Sequence, residues 1–395
     1  MAKGALEYLK EQLDELERAG TAIHPRVLQA EQRARTRFDG REVINLASNN
    51  YLGLAAHPRL KEAASRAALE LGAGSGAVRT IAGTMTRHEE LERRFAEFKG
   101  AEEALMFQSG FTANSGTVAA ILTREDVIVS DQLNHASIID GARLSRAEIK
   151  VFPHKDTEAA DRLLAETKAE GRRQLLITDG VFSMDGDIAP LPDLVEVAEK
   201  HGAIMMIDDA HASGVLGQGG KGTVSHFGLD PSLIDVQVGT LSKAIGVLGG
   251  FIAGPSHLIQ WLVNRGRPFL FSTSAPPPVA AACIAALDVI REEPDRLERL
   301  WERTRFLKRG LHDLGFDTGH SETPITPIIA GEETTAVELS RQLWEEGVFT
   351  PAIVYPTVAK GRSRVRTIVT ADHTEEDLQE ALDAFDRVGK KLGLI

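Results

Sequence analysis

Cysteine is almost absent from this chain of 395 residues, which contains only Cys283. A single cysteine cannot form a disulfide within one chain, and it cannot supply the paired thiolates of a CxxC zinc site. Because secreted domains of low stability often depend on disulfides, this composition favours a reducing compartment. Disulfide scaffolds and cysteine-based zinc proteins are therefore excluded as classes.

An excess of positive charge is also lacking, since 57 acidic residues outnumber 45 basic ones and the net charge is −12. Nucleic-acid backbones and anionic membranes are negatively charged, so neither is expected as the main partner. No apolar run approaches the roughly 20 residues of a membrane-spanning helix, and no apolar leader precedes the first helix. We therefore expect a cytoplasmic protein.

The length of the chain exceeds that of one typical hydrophobic core, which predicts more than one domain. We predict an N-terminal helix and segment over residues 1–45, a large domain over residues 46–290 and a smaller α/β domain over residues 291–395. Leucines at helical spacing in residues 1–19 indicate an amphipathic helix that packs on the body or on a partner chain. In the small domain, strands are predicted near residues 325–329, 349–353 and 364–369.

From residue 103 onward, short apolar runs alternate with helical segments. The predicted strands are 104–107, 127–130, 150–152, 174–178, 203–207, 234–238 and 250–253. Several of them are uninterrupted apolar runs, which indicates that both faces of the sheet are covered. The pattern predicts an α/β fold with a mostly parallel central sheet between helices, in which ligands bind at the carboxyl ends of the strands.

Polar residues follow five of these strands, at the edge where a ligand is expected. They are Ser109–Asn114, Asn134–Ser137, Asp179–Asp187, Asp208–His211 and Thr240–Lys243. The first of these stretches opens a helix, whose free backbone amides suit a phosphate group. All five would lie on one rim of the sheet and form one site.

Lys243 follows a buried strand and has no carboxylate within four residues of it in the sequence, so it is poorly placed for a surface ion pair. Partial burial would lower its pKa and leave some of it as the neutral amine that attacks carbonyl groups. Thr240 and Ser242 add hydroxyls suited to a phosphate. The alternative is an ordinary solvated lysine in a turn.

The acidic and imidazole groups also admit more than one role. A buried carboxylate at Asp208 needs a donor or a cation, which could be a helix N-terminus or an arginine, and His135 could be an ordinary hydrogen-bonded loop residue. Asp208, Asp209 and His211 could bind a metal ion, but no HxH or HExxH spacing supports this and we predict none. The glycine-rich stretch 217–223 fails P-loop spacing and is predicted to be a flexible surface loop.

One cofactor would use all of these groups together. A lysine amine forms a Schiff base with an aldehyde, and a carboxylate keeps a pyridine nitrogen protonated, which makes the ring an electron sink. An imidazole can stack on that ring, and a helix N-terminus can bind a phosphate. We therefore predict pyridoxal 5′-phosphate as the cofactor.

The chain resembles the α-oxoamine synthase family of fold-type I pyridoxal phosphate enzymes along nearly its whole length. The motifs that carry the resemblance are SNNYLGL (48–54), SGFTAN (109–114), NHASIIDG (134–141), DGVFSMDGDIAP (179–190), DDAH (208–211), TLSKA (240–244), RPFLFSTS (267–274) and RVRT (364–367). The resemblance implies a C-acyltransferase that condenses an amino acid with an acyl-CoA. It also implies that Lys243 forms the Schiff base, Asp208 pairs with the pyridine nitrogen, His211 contacts the ring hydroxyl and His135 stacks on the ring and assists proton transfer.

Other residues are expected, by the same resemblance, to bind cofactor or substrate. The cofactor contacts are Gly110, Phe111, Ser183 and Thr240. Ser272 and Thr273 resemble a segment that reaches the phosphate of the other subunit, which implies a homodimer with shared active sites. Asn49, His135 and Arg366 are expected to hold the amino acid, because an arginine fork suits a carboxylate. The alternative for Arg366 is an ordinary surface charge.

Two branches of the family compete. NHASIIDG, DGVFSMDG, AVRTIAGT and VGKKLG resemble glycine C-acetyltransferases, which join glycine and acetyl-CoA to 2-amino-3-oxobutanoate, or cleave it, in threonine catabolism. SGFTAN, with glycine at its second position, resembles 8-amino-7-oxononanoate synthases, which use alanine and a pimeloyl thioester in biotin biosynthesis. We expect the first branch, with the second or a dual specificity as the alternative.

Two hypotheses from other classes stay open at this point. The chain could be a catalytically silent partner subunit, although a silent subunit has no use for the amine of Lys243. It could also be a metal-dependent hydrolase that uses Asp208 and His211.

Overall fold

A computed structural model describes residues 4–18, 20–168 and 171–395. The helices in these ranges are α1 (Tyr8–Arg18), α2 (Pro58–Leu71), α3 (Thr86–Lys99), α4 (Gly110–Ile121), α5 (Ala136–Ser145), α6 (Thr157–Lys168), α7 (Leu191–His201), α8 (Thr223–His226), α9 (Ser256–Arg265), α10 (Arg267–Phe271), α11 (Pro277–Glu292), α12 (Asp295–Asp313), α13 (Glu333–Glu345) and α14 (Glu375–Leu392). The strands are β1 (Arg35–Phe38), β2 (Arg41–Asn45), β3 (Glu103–Phe107), β4 (Val127–Asp131), β5 (Glu148–Phe152), β6 (Gln174–Asp179), β7 (Ile204–Asp208), β8 (Val236–Thr240), β9 (Gly250–Gly254), β10 (Ile325–Gly331), β11 (Val348–Phe349), β12 (Ala352–Ile353) and β13 (Ser363–Ile368).

The central sheet has the strand order β3-β9-β8-β7-β6-β4-β5 within the described ranges. Strands β5, β4, β6, β7 and β8 pair in parallel, whereas β9 runs antiparallel to both of its neighbours, β8 and β3. The prediction of a mostly parallel sheet between helices is therefore confirmed. Each strand lies within two residues of its predicted limits.

Both faces of this sheet are buried, as its apolar runs require. Side chains alternate along β4: Ile128 packs in one apolar cluster with Ile138 of α5, while Val127 and Val129 pack in another with Leu164 of α6. Each such fully buried side chain contributes about 2 kcal/mol relative to an exposed one. The alternation explains why these strands read as continuous apolar segments.

Two smaller sheets lie beside the central one, and the first of them joins strands from the start and the end of the chain. One has the order β1-β2-β11 and the other β10-β13-β12. β11 pairs in parallel with β2, matching Val348 with Ile44 and Phe349 with Asn45. The strand predicted at residues 349–353 is thus split, because its two halves belong to different sheets. The three predicted domain ranges stay a prediction.

The predicted N-terminal helix is observed as α1, while residues 1–3 and 19 of its range lie outside the described residues. No described residue of α1 is buried, and Leu9, Leu13 and Leu16 are exposed. Packing on the body of this chain is therefore not seen, and packing on a partner stays a prediction. No helix in the described ranges has the length and apolarity needed to cross a membrane.

Candidate active site

A cavity of about 260 Å³ opens at the carboxyl ends of β4, β6, β7 and β8. The predicted site residues that line it are Gly110, Phe111, His135, Ser183, Asp208, His211, Thr240 and Lys243. The sheet brings them together, because each lies at a strand end, on the loop that follows one or, for Gly110 and Phe111, in the first turn of the helix after β3. Ser272, Thr273, Asn49 and Arg366 do not line this cavity.

Lys243 lies in the turn of residues 241–249 that connects β8 to β9. Its carbonyl accepts the amide of Gly246 at 2.9 Å, and the turn packs so closely that a Cβ at Gly246 would lie 2.6 Å from the backbone nitrogen of Ala55. Burial lowers the pKa of the Lys243 amine, and the charges of Asp208 and Asp179 offset only part of this effect. The amine is therefore more readily available in its neutral, nucleophilic form than that of a solvated lysine.

Asp208 is a buried carboxylate at the end of β7, with 4% of its surface exposed. Oδ2 accepts a hydrogen bond from Asn114 Nδ2 at 2.5 Å, and Oδ1 accepts one from the Ala210 amide at 2.8 Å. Within the described part of the chain, no cationic side chain lies within 4 Å of this carboxylate. A buried carboxylate with neutral donors alone on a cavity wall has room for one cationic donor from a ligand.

Asn114 links this carboxylate to His135 through Ser137. Its second amide hydrogen goes to Ser137 Oγ at 3.0 Å, so the Ser137 hydroxyl donates onward to His135 Nδ1 at 2.8 Å. The Ser137 amide also donates to His135 Nδ1, at 3.2 Å. Because Nδ1 accepts both bonds, a neutral His135 carries its proton on Nε2.

The protonation of His135 follows from its surroundings. The residue keeps an exposed edge, yet loss of hydration lowers its pKa, with the charge of Asp208 opposing and that of Lys243 adding to the effect. Its backbone amide donates to Asp179 Oδ2 at 2.9 Å. Burial and the neighbouring Asp208 charge raise the pKa of Asp179 well above its ordinary value. The ring is thus neutral and its loop is fixed to β6.

His211 is held by Tyr51, which lies 160 residues earlier in the chain. The Tyr51 hydroxyl lies 2.7 Å from His211 Nδ1, and Tyr51 is fully buried. Burial lowers the pKa of His211 well below its ordinary value, and the charges of Lys243 and Arg366 act in the same direction. The imidazole is therefore neutral, and one of its nitrogens is committed to Tyr51.

The N-terminus of α4 forms part of the wall of the cavity. Ser109 caps the helix, because its Oγ accepts the Thr112 amide at 3.1 Å. A Cβ at Gly110 would lie 3.3 Å from Thr240 Cβ, which shows how closely this turn approaches β8. Thr240 Oγ1 and Ser242 Oγ lie 2.7 Å apart. Hydroxyls and the first-turn amides of a twelve-residue helix together suit a phosphate.

Arg366 lies on β13, beside the cavity. Its Nη1 donates to the Ser183 carbonyl at 2.9 Å, and its Nε is buried without a hydrogen-bond partner among the described residues. The guanidinium is not a solvated surface charge, so that alternative is wrong. Asn49 Oδ1 is likewise buried without a partner in the described ranges. Both groups have hydrogen-bonding capacity left for a ligand, and their expected roles stay predictions.

Ser272 and Thr273 follow α10 and do not line the cavity of their own chain. Thr273 forms an isolated antiparallel bridge with Val78, and its carbonyl accepts a hydrogen bond from Gln108 Nε2 at 3.0 Å. Their expected contact with the cofactor of another subunit stays a prediction.

Asp209 belongs to a buried structural ion pair. Lys99 Nζ lies 2.7 Å from Asp209 Oδ2 with both side chains fully buried, and the hydroxyl of Thr223 donates to Oδ1 at 2.7 Å. Lys99 Nζ also donates to the Lys221 carbonyl at 2.7 Å. The prediction of a flexible loop at residues 217–223 is therefore wrong, because buried polar contacts fix this stretch. No cluster of three potential metal ligands occurs in the described ranges.

Four residues that line or support the cavity were given no individual role from the sequence: Tyr51, Asn114, Ser137 and Asp179. All four lie within motifs quoted above, but an asparagine or serine inside a helix carries no signal of its own. Only the pairing of β6 with β7, which sets Asp179 opposite Asp208, could have indicated one of them in advance.

The residues present fit pyridoxal phosphate. One cavity is lined by a buried carboxylate without a cationic partner, a lysine with a lowered pKa, neutral imidazoles and a helix N-terminus. Asp208 and Lys243 both line this cavity, and no ion pair within 4 Å joins them in the described ranges.

Comparisons with known proteins agree with this chemistry. A family model described as aminotransferase class I and II matches residues 41–385. The 8-amino-7-oxononanoate synthase of Symbiobacterium thermophilum is 60% identical over 389 residues, covering 98% of this chain and 99% of that protein. The 8-amino-7-oxononanoate synthase of Thermoanaerobacter pseudethanolicus is 58% identical over 390 residues, covering 99% of this chain and 98% of that protein. Among solved structures, a serine palmitoyltransferase from S. paucimobilis with bound pyridoxal phosphate and myriocin has a TM-score of 0.93 and 30% identity, covering 99% of this chain and 98% of that one.

Proposed function

The chain belongs to the class I and II aminotransferase family, as a pyridoxal phosphate-dependent C-acyltransferase of the α-oxoamine synthase type, and we propose that it is an 8-amino-7-oxononanoate synthase. In this reaction alanine and a pimeloyl thioester, carried by coenzyme A or a carrier protein, give 8-amino-7-oxononanoate, the free thiol and carbon dioxide. The observation that carries the proposal is the 60% identity to such a synthase over 98% of the chain. The motifs that favoured glycine C-acetyltransferase are short, and they weigh less than similarity along the whole chain.

The cavity supports this chemistry through its own residues. When bound, pyridoxal phosphate supplies an electron sink for negative charge at the substrate α-carbon. Asp208 would hold a proton on the ring nitrogen, and Lys243 would hold the cofactor covalently. The amides at the start of α4 and the hydroxyls of Thr240 and Ser242 would bind its phosphate.

His135 and Lys243 would have different roles in proton transfer. His135 Nδ1 is occupied by Ser137, so its Nε2–H is a donor rather than a base. The neutral amine of Lys243 is then the group able to accept a proton from the substrate α-carbon. Arg366 would bind the amino-acid carboxylate. Its Nη1 is taken by the Ser183 carbonyl, so the bidentate donors would be Nε–H, which has no partner among the described residues, and the Nη2–H on the same side of the guanidinium.

A first experiment tests the cofactor chemistry. The purified protein is mixed with pyridoxal phosphate, its visible absorbance is recorded, and borohydride is used to trap the cofactor for peptide mapping. We expect a yellow protein that carries the label on Lys243. A colourless protein without label would support the silent-subunit hypothesis instead.

A second experiment tests the substrates. The protein is assayed with alanine plus pimeloyl-CoA and with glycine plus acetyl-CoA, and thiol release is compared with carbon dioxide released from carboxyl-labelled amino acid. We expect kcat/KM to favour the first pair by at least about tenfold, with one carbon dioxide per thiol. A kcat/KM that favours glycine plus acetyl-CoA by a similar factor would identify glycine C-acetyltransferase, and similar values for both pairs would identify a dual specificity. The ratio of rates decides, because 2-amino-3-oxobutanoate is a β-keto acid that also loses carbon dioxide in solution.

A homodimer with shared sites is the assembly we propose. What supports it is that Ser272 and Thr273 do not line their own cavity, together with exposed aromatic side chains at Phe111 and Phe271. Sedimentation at micromolar concentration tests the assembly. Sharing is tested by mixing a Lys243→Ala chain with a chain in which both Ser272 and Thr273 are alanine. Shared sites would give one restored site per mixed dimer.

A further inference from the structure

His154 does not line the cavity. It bridges two carboxylates, Asp131 at the end of β4 and Asp187 in the hairpin of residues 180–189. Its Nδ1 lies 3.0 Å from Asp131 Oδ1 and its Nε2 lies 2.9 Å from Asp187 Oδ2. The Asp131 and Asp187 side chains are 1% and 7% exposed, so solvent screens this contact only weakly. Such a bridge ties the end of β4 to the hairpin of residues 180–189.

The bridge requires a charged imidazole. Each ring nitrogen faces a carboxylate, so both nitrogens donate and the ring carries two protons. Burial alone would lower the pKa of His154, but the hydrogen bonds to Asp131 and Asp187 outweigh it and raise the pKa to about 9. Lys155 is the neighbouring cation, with Nζ 3.2 Å from Asp187 Oδ2 and 3.7 Å from Glu322 Oε1.

One end of the bridge supports the loop that carries His135. Asp131 Oδ1 also accepts the Leu133 amide at 2.8 Å, and its Oδ2 accepts the Lys155 amide at 2.9 Å. The loop therefore leaves β4 in a fixed direction. His135 follows two residues after Leu133.

The other end supports the group that holds Arg366. The hairpin closes through the Phe182 amide on the Asp187 carbonyl at 3.1 Å, and the ring of Phe182 lies edge-on to His154 at 4.4 Å between centroids. Ser183 comes next in the chain, and its carbonyl accepts Arg366 Nη1 at 2.9 Å. Asp187 therefore helps to fix the hairpin that carries this carbonyl, together with Arg364, whose Nη1 donates to the Met184 carbonyl at 3.0 Å.

We propose that His154 is a positioning residue, which holds the loop of His135 and the hairpin that orients Arg366 at a fixed spacing. Without the bridge, the substrate carboxylate and the α-carbon proton are no longer presented together. The proposal rests on the proposed function in one respect, namely that the site takes an amino acid held by Arg366. A structural ion pair with no such role would affect unfolding alone.

The chain offers a matched control for this test. His201 Nε2 lies 2.6 Å from Asp161 and the His201 side chain is 7% exposed, but this pair joins α7 to α6, away from the cavity. His154→Asn and His201→Asn are therefore compared as holoenzymes. Each is titrated with alanine and with glycine in the absence of an acyl donor, and binding is followed by the change in visible absorbance.

We expect His154→Asn to weaken alanine binding at least about tenfold and to raise KM for alanine more than it lowers kcat. His201→Asn should change binding less than about twofold. Above about pH 9 the wild-type bridge loses its charge, so wild-type affinity should fall towards that of His154→Asn. The Lys243 amine and the substrate ammonium group titrate in both proteins. The ratio of wild-type to His154→Asn affinity at each pH therefore reports on the bridge formed with Asp131, Asp187 and Lys155.

The outcomes are separable. Equal alanine affinities in His154→Asn and His201→Asn would overturn the proposal. Should His154→Asn fail to fold, Asp187→Asn removes one charge of the bridge, and unchanged alanine affinity in that variant would overturn it as well. A wild-type protein that binds glycine rather than alanine contradicts the proposed substrate alone, and the two histidine variants are then compared with glycine.

Discussion

Asn114 and Asp208 are joined by a hydrogen bond of 2.5 Å from the amide nitrogen to Oδ2, at the end of the central sheet. The bond places a neutral donor, rather than a cation, on a buried carboxylate. The negative charge of Asp208 is therefore not neutralised by this bond and can attract a cationic group of a ligand in the cavity. The second hydrogen of the same amide reaches Ser137, so one side chain fixes both an acid and the tautomer of His135.

Replacing Asn114 with alanine should weaken cofactor binding at least about tenfold, because a hydrogen bond to a charged group contributes roughly 1.5–3 kcal/mol. The measurement is a titration of the apoprotein with pyridoxal phosphate, followed by absorbance. Asn264→Ala is the control, since Asn264 is exposed and its amide donates to the Gln260 carbonyl of its own helix. Equal dissociation constants in the two variants would contradict the role of Asn114.

Replacing Lys243 with alanine should abolish borohydride trapping and lower turnover by at least about a thousandfold, because the chain loses both its covalent attachment and its base. Cofactor should still bind reversibly, since the N-terminus of α4 and the carboxylate of Asp208 are unchanged. Lys221→Ala is the control, because that side chain is exposed and lies outside the cavity. Turnover of Lys243→Ala that matches the control would refute the assignment of the amine.

Replacing Tyr51 with phenylalanine should lower the free energy of unfolding by about 1–3 kcal/mol, because His211 Nδ1 is left buried without its partner. Urea unfolding of the apoprotein measures this cost without the cofactor. Tyr355→Phe serves as the control, since Tyr355 is 51% exposed. The hypothesis fails if both variants unfold at the same urea concentration.

Acidification should destabilise the fold through His373. Burial lowers the pKa of this residue to about 4, and its Nδ1 accepts the Thr370 amide at 3.0 Å. In the unfolded chain the ring takes up a proton near pH 6.5, so its contribution to stability is present above that pH and is lost as pH falls towards about 4. The linked change reaches about 3 kcal/mol.

This contribution is measured by urea unfolding at several pH values between about 7 and 4. His373→Gln should show a shallower loss of stability with falling pH than the wild-type protein. His320→Gln, at an exposed position, should keep the wild-type slope. A slope in His373→Gln as steep as that of wild type would assign the effect to other groups.

The sequence was sufficient for the sheet and for the residues on its rim. Continuous apolar runs such as Val127–Val129 indicate strands buried on both faces, and parallel strands bring their following loops to one edge. Lys243, Asp208, His135 and His211 could therefore be grouped before any coordinates. Their roles stay predictions until the variants are measured.

The hydrophobic pattern could not predict which strands pair when they are far apart in the sequence. The run at residues 349–353 reads as one strand, but Phe349 pairs with β2 and Ala352 pairs with β13. Nothing in local hydrophobicity distinguishes these partners. The bridge from His154 to Asp131 and Asp187 was missed for the same reason, because side chains alone join the end of β4, the segment after β5 and the hairpin of residues 180–189.

The parallel pairing of β11 with β2 has a consequence for synthesis on the ribosome. The amide of Leu46 bonds the Phe349 carbonyl at 3.0 Å, and the amide of Ile368 bonds the Leu46 carbonyl at 2.8 Å. Translation proceeds from the N-terminus. The backbone groups on this side of β2 therefore have no hydrogen-bond partner from β11 until some three hundred later residues have left the exit tunnel. A nascent chain stalled before that point presents an open strand edge to its neighbours, and such edges promote aggregation.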